Sequence, residues 1–162
     1  MDNVFGGRSK VSTYKEYVFV KMLEDMPKHK LQEFLDILED QGKALYKQKQ
    51  EAEKYRAEDL STIKAAGFEV DAYGNIKNYT SQMTALYNDL AAAQNAYNAQ
   101  YADKAGSDAQ EAALEAINKR QDNIDNIKDA IAQYDETKEL IEDLDNQIRD
   151  VMYEIQDINY EI

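Results

Sequence analysis

Apolar residues recur every three or four positions over most of the chain, which predicts long amphipathic helices. The 162 residues include one proline and six glycines, so few positions interrupt these helices. We therefore predict an all-α fold, in which a long antiparallel helical hairpin forms a coiled coil. A small β-hairpin is expected between two of its helices.

We predict that residues 1–42 form a flexible arm and short helices. The antiparallel coiled coil is predicted to follow at 43–162. The arm covers about residues 1–11, and Thr13 to Glu16 has the T-x-x-E pattern of a helix N-terminal capping box. Pro27 suits the first turn of a second helix that runs to about residue 66. One stripe of this helix lacks an evident partner in the hairpin and is a candidate partner-binding stripe. We expect it to pack on the helix of about 13–25, on another subunit, or on chain outside this sequence: Leu31, Phe34, Leu35, Leu38 and Leu45.

The periodicity changes after Gly67, which predicts the end of the second helix. Phe68 and Val70 alternate with polar residues, and Ile76 follows a stretch rich in Asp, Gly and Asn that contains Gly74. This pattern predicts a β-hairpin at 67–78, packed on a neighbouring helix.

A third helix is predicted from about 80 to 105, and a fourth from 108 to the end of the sequence. Gly106 separates them, and Ser107 with Gln110 forms a second capping box, so the two helices should fold back on each other. The predicted coiled-coil seam consists of residues spaced by three and four: Met83, Leu86, Leu90, Tyr97, Ile124, Ile127, Ile131, Tyr134, Ile141, Leu144, Ile148, Val151, Ile155 and Ile158.

The seam changes heptad phase between Tyr134 and Ile141, opposite the predicted β-hairpin if the chain folds about Gly106. In one long antiparallel coiled coil, residues 107–134 pair with 79–105 and residues 146–162 pair with about 50–66. The β-hairpin is then an outward bulge in one arm. The seam continues to the last residue without a helix cap, which is typical of a segment of a longer protein.

The net charge of −13 is concentrated after residue 56, since residues 1–56 carry 11 basic and 10 acidic side chains whereas 57–162 carry 8 and 22. Such an acidic surface repels phosphates and anionic lipids, so we expect no nucleic-acid and no membrane partner. The acidic faces are interpreted as solvated helix surfaces, and docking of a basic partner is the alternative.

The sequence offers little for catalysis, because it contains one histidine and no cysteine, and its carboxylates lie on helix faces opposite the seam. We predict no catalytic, cofactor or metal site and no enzymatic activity. Residues 71–75 lack the ligand spacing of a calcium loop and are interpreted as a turn. The 12 tyrosines suit either the rim of a thin coil or a protein-binding face.

Several segments resemble a known family. A charged helix around 46–55 precedes Gly67 to Ile76 (GFEVDAYGNI), an Ala- and Tyr-rich helix follows, and Ile148 to Ile162 reads IRDVMYEIQDINYEI. Over about 43–162 this order resembles the coiled-coil middle of tape-measure and related minor structural proteins of bacteriophages, particularly those of gut bacteria.

The resemblance implies a non-enzymatic structural protein of a phage virion, acting as a tail or tape-measure-like spacer or as an assembly scaffold. It would be assembled in the host cytoplasm and contact other virion proteins or further copies of itself through its helices. The alternative is a soluble, cytoplasmic helical adaptor or chaperone-like module that binds a client with the apolar stripe beginning at Leu31.

Overall fold

A computed structural model describes residues 10–162, apart from the side chains of residues 10–14 and 16. This part of the chain forms four α-helices: α1 (Lys10–Glu24), α2 (Lys28–Ala65), α3 (Tyr79–Gln100) and α4 (Asp108–Glu161). The prediction of an all-α fold is confirmed for these residues. The predicted arm, as far as residue 9, and the side chains of the Thr13 and Glu16 capping box lie outside the described residues.

The turn between α1 and α2 is set by Pro27. Its carbonyl accepts hydrogen bonds from the backbone N–H groups of Lys30 and Leu31, both at 3.0 Å. A proline at a helix start loses nothing by lacking its own N–H, because the first N–H groups of a helix have no intrahelical partner. α2 then continues for 38 residues and passes through Gly42 without a break.

The predicted β-hairpin at 67–78 is wrong, since these residues form a turn with one isolated antiparallel bridge between Val70 and Ile76. In a β-ladder, backbone groups of one strand form hydrogen bonds with backbone groups of the other along its length. Here a side chain forms some of the hydrogen bonds to the backbone instead. Asn78 Oδ1 accepts from the N–H of Glu69 at 2.7 Å, and Asn78 Nδ2 donates to the carbonyl of Gly67 at 3.3 Å.

The alternation that suggested strands has another cause. Phe68 is 3% exposed because it enters a helical core, where Val70 and Ile76 also pack as partly buried side chains. Period-two spacing over so few residues is shared by strands and by turns that place two side chains inward. The alternating pattern therefore indicated correctly that these side chains are buried, but its interpretation as two β-strands was wrong.

The described chain divides into two compact units. Among the described residues, unit 1 consists of 10–54 and 138–162, and unit 2 of Tyr55–Thr137. α2 and α4 each contribute to both units, and neither boundary falls at residue 42.

Unit 1 contains a core formed by α1, α2 and α4, in which α2 and α4 lie antiparallel. Lys49 Nζ and Asp145 Oδ1 are 2.6 Å apart, while Ile158 packs with Leu31 and Leu35 in the same core. The predicted pairing of 146–162 with about 50–66 is therefore wrong, because this part of α4 packs on residues nearer the start of α2.

The register error came from counting the β-hairpin as part of one arm of the coil. In unit 2, Gln82 of α3 donates from Nε2 to the carbonyl of Ala66 at 2.7 Å, so α3 begins beside the end of α2. The intervening residues 67–78 consequently take up almost no length along the helices. Both α2 and α3 lie against α4 in this unit.

The core of unit 2 joins α2, the turn, α3 and α4. α3 and α4 lie antiparallel, as shown by the 2.9 Å contact between Asp89 Oδ2 and Arg120 Nε. At their connection, Ser107 Oγ accepts from the N–H of Gln110 at 3.1 Å, and Gln110 Oε1 accepts from the N–H of Gly106 at 3.1 Å. The buried side chains of this core are Ile63, Phe68, Met83, Leu90, Ile124, Ile127, Ala130 and Tyr134.

Candidate interaction surfaces and the turn between α2 and α3

Most of the predicted seam residues belong to one of the two cores. In unit 2 Ile124 and Ile127 are each 1% exposed, and in unit 1 Ile158 is 0% exposed. The remaining seam residues include buried Met83, Leu90, Tyr134 and Leu144, and half-buried Leu86, Tyr97, Ile131, Ile141, Ile148, Val151 and Ile155.

The stripe expected to bind a partner is covered within unit 1. Leu31, Leu35 and Leu38 are 3%, 7% and 3% exposed, and they pack with Leu23 of α1 and Ile158 of α4. Half-buried Phe34 lies against Phe19, with ring centroids 5.8 Å apart, and Leu45 is also half-buried. The stripe is part of a core and does not form an exposed surface.

The turn between α2 and α3 is organised by the carboxylate of Asp71. Asp71 Oδ1 accepts from the N–H groups of Tyr73 and Asn75, at 2.8 and 2.9 Å. Backbone bonds from Asp71 N–H to the Asn75 carbonyl at 2.9 Å, and from Gly74 N–H to the Asp71 carbonyl at 3.1 Å, close the same turn. These donors, chiefly Asn75 and then Tyr73, lower the pKa of Asp71 from its ordinary value of 3.8.

A second set of contacts attaches this turn to the helices of unit 2. The Tyr134 hydroxyl of α4 donates to the carbonyl of Gly74 at 2.8 Å. The guanidinium of Arg56 in α2 lies 4.1 Å from the centroid of the Tyr134 ring, within cation–π range. One tyrosine therefore links α2, the turn and α4.

Gly74 is required at the contact point for two reasons. Its φ of +84° lies in the left-handed region, which side chains other than glycine rarely adopt. A Cβ at this position would also lie 3.0 Å from Tyr134 Oη and 3.3 Å from Arg56 Nη2. Gly67, at φ +94°, also lies in the left-handed region, and a Cβ there would lie 2.6 Å from Gln82 Nε2 and displace the end of that side chain.

The sequence identified Gly67, Gly74 and Gly106 as turn positions, but it did not indicate the roles of Arg56 and Tyr134. Tyr134 was assigned only to the seam. Ile or Leu is usual at a seam position, so a tyrosine there could have indicated a special contact. The hydroxyl of a buried tyrosine needs a hydrogen-bond partner. The partner lies 60 positions away in the chain, so no local pattern could reveal it.

The turn displays Tyr73, whose side chain is 84% exposed, at its tip. Within the described residues, no group of three or more His, Asp or Glu side chains is placed to hold a metal ion. None of the helices described here is long and apolar enough to cross a membrane. His29 is exposed near the start of α2.

The chain was compared with known proteins at the level of families, curated proteins and solved structures. No family model matches it, and neither the curated proteins nor the solved structures yield a significant match.

Proposed function

We propose that this chain is a non-enzymatic structural protein of a bacteriophage virion, a tail or tape-measure-like helical segment that serves as a spacer or an assembly scaffold. Its phage assignment is supported by the order of segments over about 43–162 described above. The structural assignment is supported by how the most specialised element of the chain uses its polar groups.

That element is the turn at 67–78, and the observation that carries the proposal is the link from Tyr134 to Gly74. The polar groups of Asp71, Asn78 and Tyr134 are engaged in hydrogen bonds within the turn or with the adjoining helices. A substrate site would instead direct such groups towards a cleft. Here they close the turn and attach it to α4, which suits a protein that maintains a fixed structure.

The scaffold mechanism follows from the two cores. Each helix is stabilised by an apolar face packed on its neighbours, because helices of this kind gain most of their stability from tertiary contacts. Ile127 and Ile158, each at most 1% exposed, illustrate these faces in units 2 and 1. Spacing is then maintained by helix length, at about 1.5 Å per residue.

The alternative, a helical adaptor that binds a client, is not favoured, because the surface it would use is buried. It required the apolar stripe beginning at Leu31 to be open to a client, but Leu31, Leu35 and Leu38 are buried by Leu23 and Ile158. Opening this stripe would expose a core, at a cost of about 1.5–3 kcal/mol for each large apolar side chain.

Particle composition tests the proposal. Phage particles purified from a host that carries the gene are analysed by quantitative mass spectrometry. We expect the chain to copurify with portal, tail or capsid proteins at a fixed copy number per particle. Deletion of its gene should remove assembled tails or change their length in electron micrographs.

The matched control uses two variants of the turn. Tyr73→Ala alters only an exposed side chain and should be incorporated normally, whereas Gly74→Val disrupts the link to Tyr134 and should reduce incorporation. Presence of the chain only in the particle-free fraction, with normal tails in its absence, would contradict a virion role.

A further inference from the structure

Among the described residues, one face of α4 in unit 1 does not belong to the core of that unit. A groove of about 320 Å³ runs along it and is lined by Asp145, Ile148, Arg149, Met152, Tyr153 and Gln156. The spacing of these residues by three and four places them on one side of the helix. Met152 is 59% exposed and places an apolar side chain on this side of the helix.

The charges of this region are sorted by face. Residues 138–162 contain two basic and eight acidic side chains. At about 100° per residue, both basic residues, Lys138 and Arg149, fall on the groove side together with Glu142 and Asp145. The other six acidic residues fall on a separate face of the helix: Glu139, Asp143, Asp150, Glu154, Asp157 and Glu161.

The groove face is therefore balanced in charge, whereas the rest of this segment is acidic. A second copy of a chain with net charge −13 would be repelled by the acidic face. It meets the least repulsion along the groove face, where apolar Ile148 and Met152 are also available for contact.

The order of charges is also self-complementary. If two copies of α4 meet antiparallel about a two-fold axis near residue 147, Asp145 of each copy faces Arg149 of the other. The same register brings Tyr153 opposite Ile141 and places Ile148 near the axis. A two-fold contact uses the same patch on both copies, so one favourable pair is made twice.

We propose that this groove face is the contact surface of a homodimer, formed by antiparallel packing of α4 from two copies through Asp145, Arg149 and Met152. Asp145 keeps its bond to Lys49 in this arrangement, since its side chain is 50% exposed and a carboxylate can accept several bonds. Arg149 would exchange its intrahelical bond to Asn146 for the Asp145 carboxylate of the second copy, a charge-assisted contact.

The dimer deepens the proposed structural role and rests on it, because a scaffold requires a defined contact between its building elements. Sedimentation analysis of the full chain, from about 1 µM to about 1 mM, tests it directly. Wild type is expected to form dimers as the concentration rises. Arg149→Asp and Asp145→Arg should each weaken the association by more than about tenfold, because like charges then face each other.

Mixing the two variants provides the decisive measurement. In a mixed pair, the two substituted side chains face each other with opposite charges at one site, and the native Asp145 and Arg149 face each other at the second. The mixture should therefore recover dimers that neither variant forms alone. Asp143→Arg makes the same charge change on the acidic face and should leave dimerisation unchanged.

A further variant covers the case in which Asp145→Arg fails to fold after losing its contact with Lys49. Met152→Asp alters an exposed position and should keep the helical circular dichroism signal while abolishing the dimer. A monomeric wild type, a dimer insensitive to Arg149→Asp, or a folded mixture that stays monomeric would overturn the proposal. These outcomes leave the virion role to be judged by particle composition, so the two proposals fail separately.

Discussion

Single residues determine the turn between α2 and α3, and the contrast between Gly74 and Gly106 shows how. Both have positive φ, at +84° and +75°. A Cβ on Gly74 would lie 3.0 Å from Tyr134 Oη, whereas a Cβ on Gly106 meets nothing within 4 Å. The two positions therefore separate backbone strain from displacement of a hydrogen-bonded neighbour.

Gly106→Ala is expected to cost about 1–2 kcal/mol of unfolding free energy, which is the usual cost of placing Cβ in the left-handed region. Gly74→Ala should cost roughly 1 kcal/mol more, because the bond from Tyr134 is also displaced. Urea denaturation of both variants measures the difference. Equal losses would contradict the importance of the Tyr134 contact.

Two aspartates should make opposite contributions to the pH dependence of stability. The pKa of Asp71 is lowered, first by the hydrogen bond from Asn75, so its contribution is present above the ordinary value of 3.8 and is lost as pH falls through the lower folded-state pKa. The pKa of Asp59 is raised, first by burial and then by the charge of Glu58. Its charged form therefore destabilises the folded state above that raised pKa.

We expect Asp59→Asn to increase the melting temperature at pH 7. This increase should become smaller as the pH falls towards 3.8, which is the ordinary pKa of an aspartate. Asp71→Ala should lower the melting temperature at pH 7, and this loss should shrink below the same pH. Thermal melts at several pH values check both signs. Parallel pH profiles for wild type and Asp71→Ala would exclude the proposed role of the carboxylate.

Among the helices, α2 could be stabilised by replacing Gly42. This residue lies inside a 38-residue helix, where glycine is less favourable than alanine. A Cβ here would lie 3.6 Å from Val151 Cγ1 of α4, an ordinary van der Waals distance. The glycine is therefore not needed for close approach of the two helices.

Gly42→Ala should raise the unfolding free energy by about 0.5–1 kcal/mol, with a small further gain from contact with Val151. Ala44→Gly, at an exposed position of the same helix, is the matched reverse change and should lower it by a similar amount. Denaturant titration measures both. Destabilisation by Gly42→Ala would mean that α2 and α4 approach more closely there than the structure has them.

For the whole molecule, the presence of two cores has a measurable consequence. Ile127 belongs to the core of unit 2 and Ile158 to that of unit 1, and both are fully buried. Replacing either by alanine should cost about 2–5 kcal/mol. Local opening follows cooperative units, so each loss should be expressed mainly within the unit that contains the substitution.

Hydrogen exchange followed by mass spectrometry can resolve this. Ile127→Ala should accelerate exchange mostly within 55–137, and Ile158→Ala mostly within 15–54 and 138–162. Tyr73→Ala, at an exposed position, serves as the control and should change neither unit appreciably. Uniform acceleration across both units by either core variant would show that they unfold as one.

By itself, the sequence determined that this protein is helical, because apolar spacing of three and four, few helix breakers and the residues Pro27, Gly67 and Ser107 act over a few positions of the chain. It also identified some of the apolar side chains that are buried, such as Ile124 and Ile127, although it did not identify Leu23 or Ala130. Tertiary structure decided which helix each of them meets, because pairing depends on where the chain places its segments in space.

The turn at 67–78 shows the limit. Its glycines and Asp71 were visible as turn residues, yet the β-hairpin was wrong, since Asn78 and Tyr134 supply contacts from outside the local pattern. The register of α4 was misplaced for the same reason, because tertiary contacts such as the bond from Gln82 to Ala66 show that the turn adds almost no helix length. Apolar periodicity indicates which face of a helix is buried, and the sequence could determine that. Which helix packs on that face depends on long-range contacts, and only the folded chain determines those.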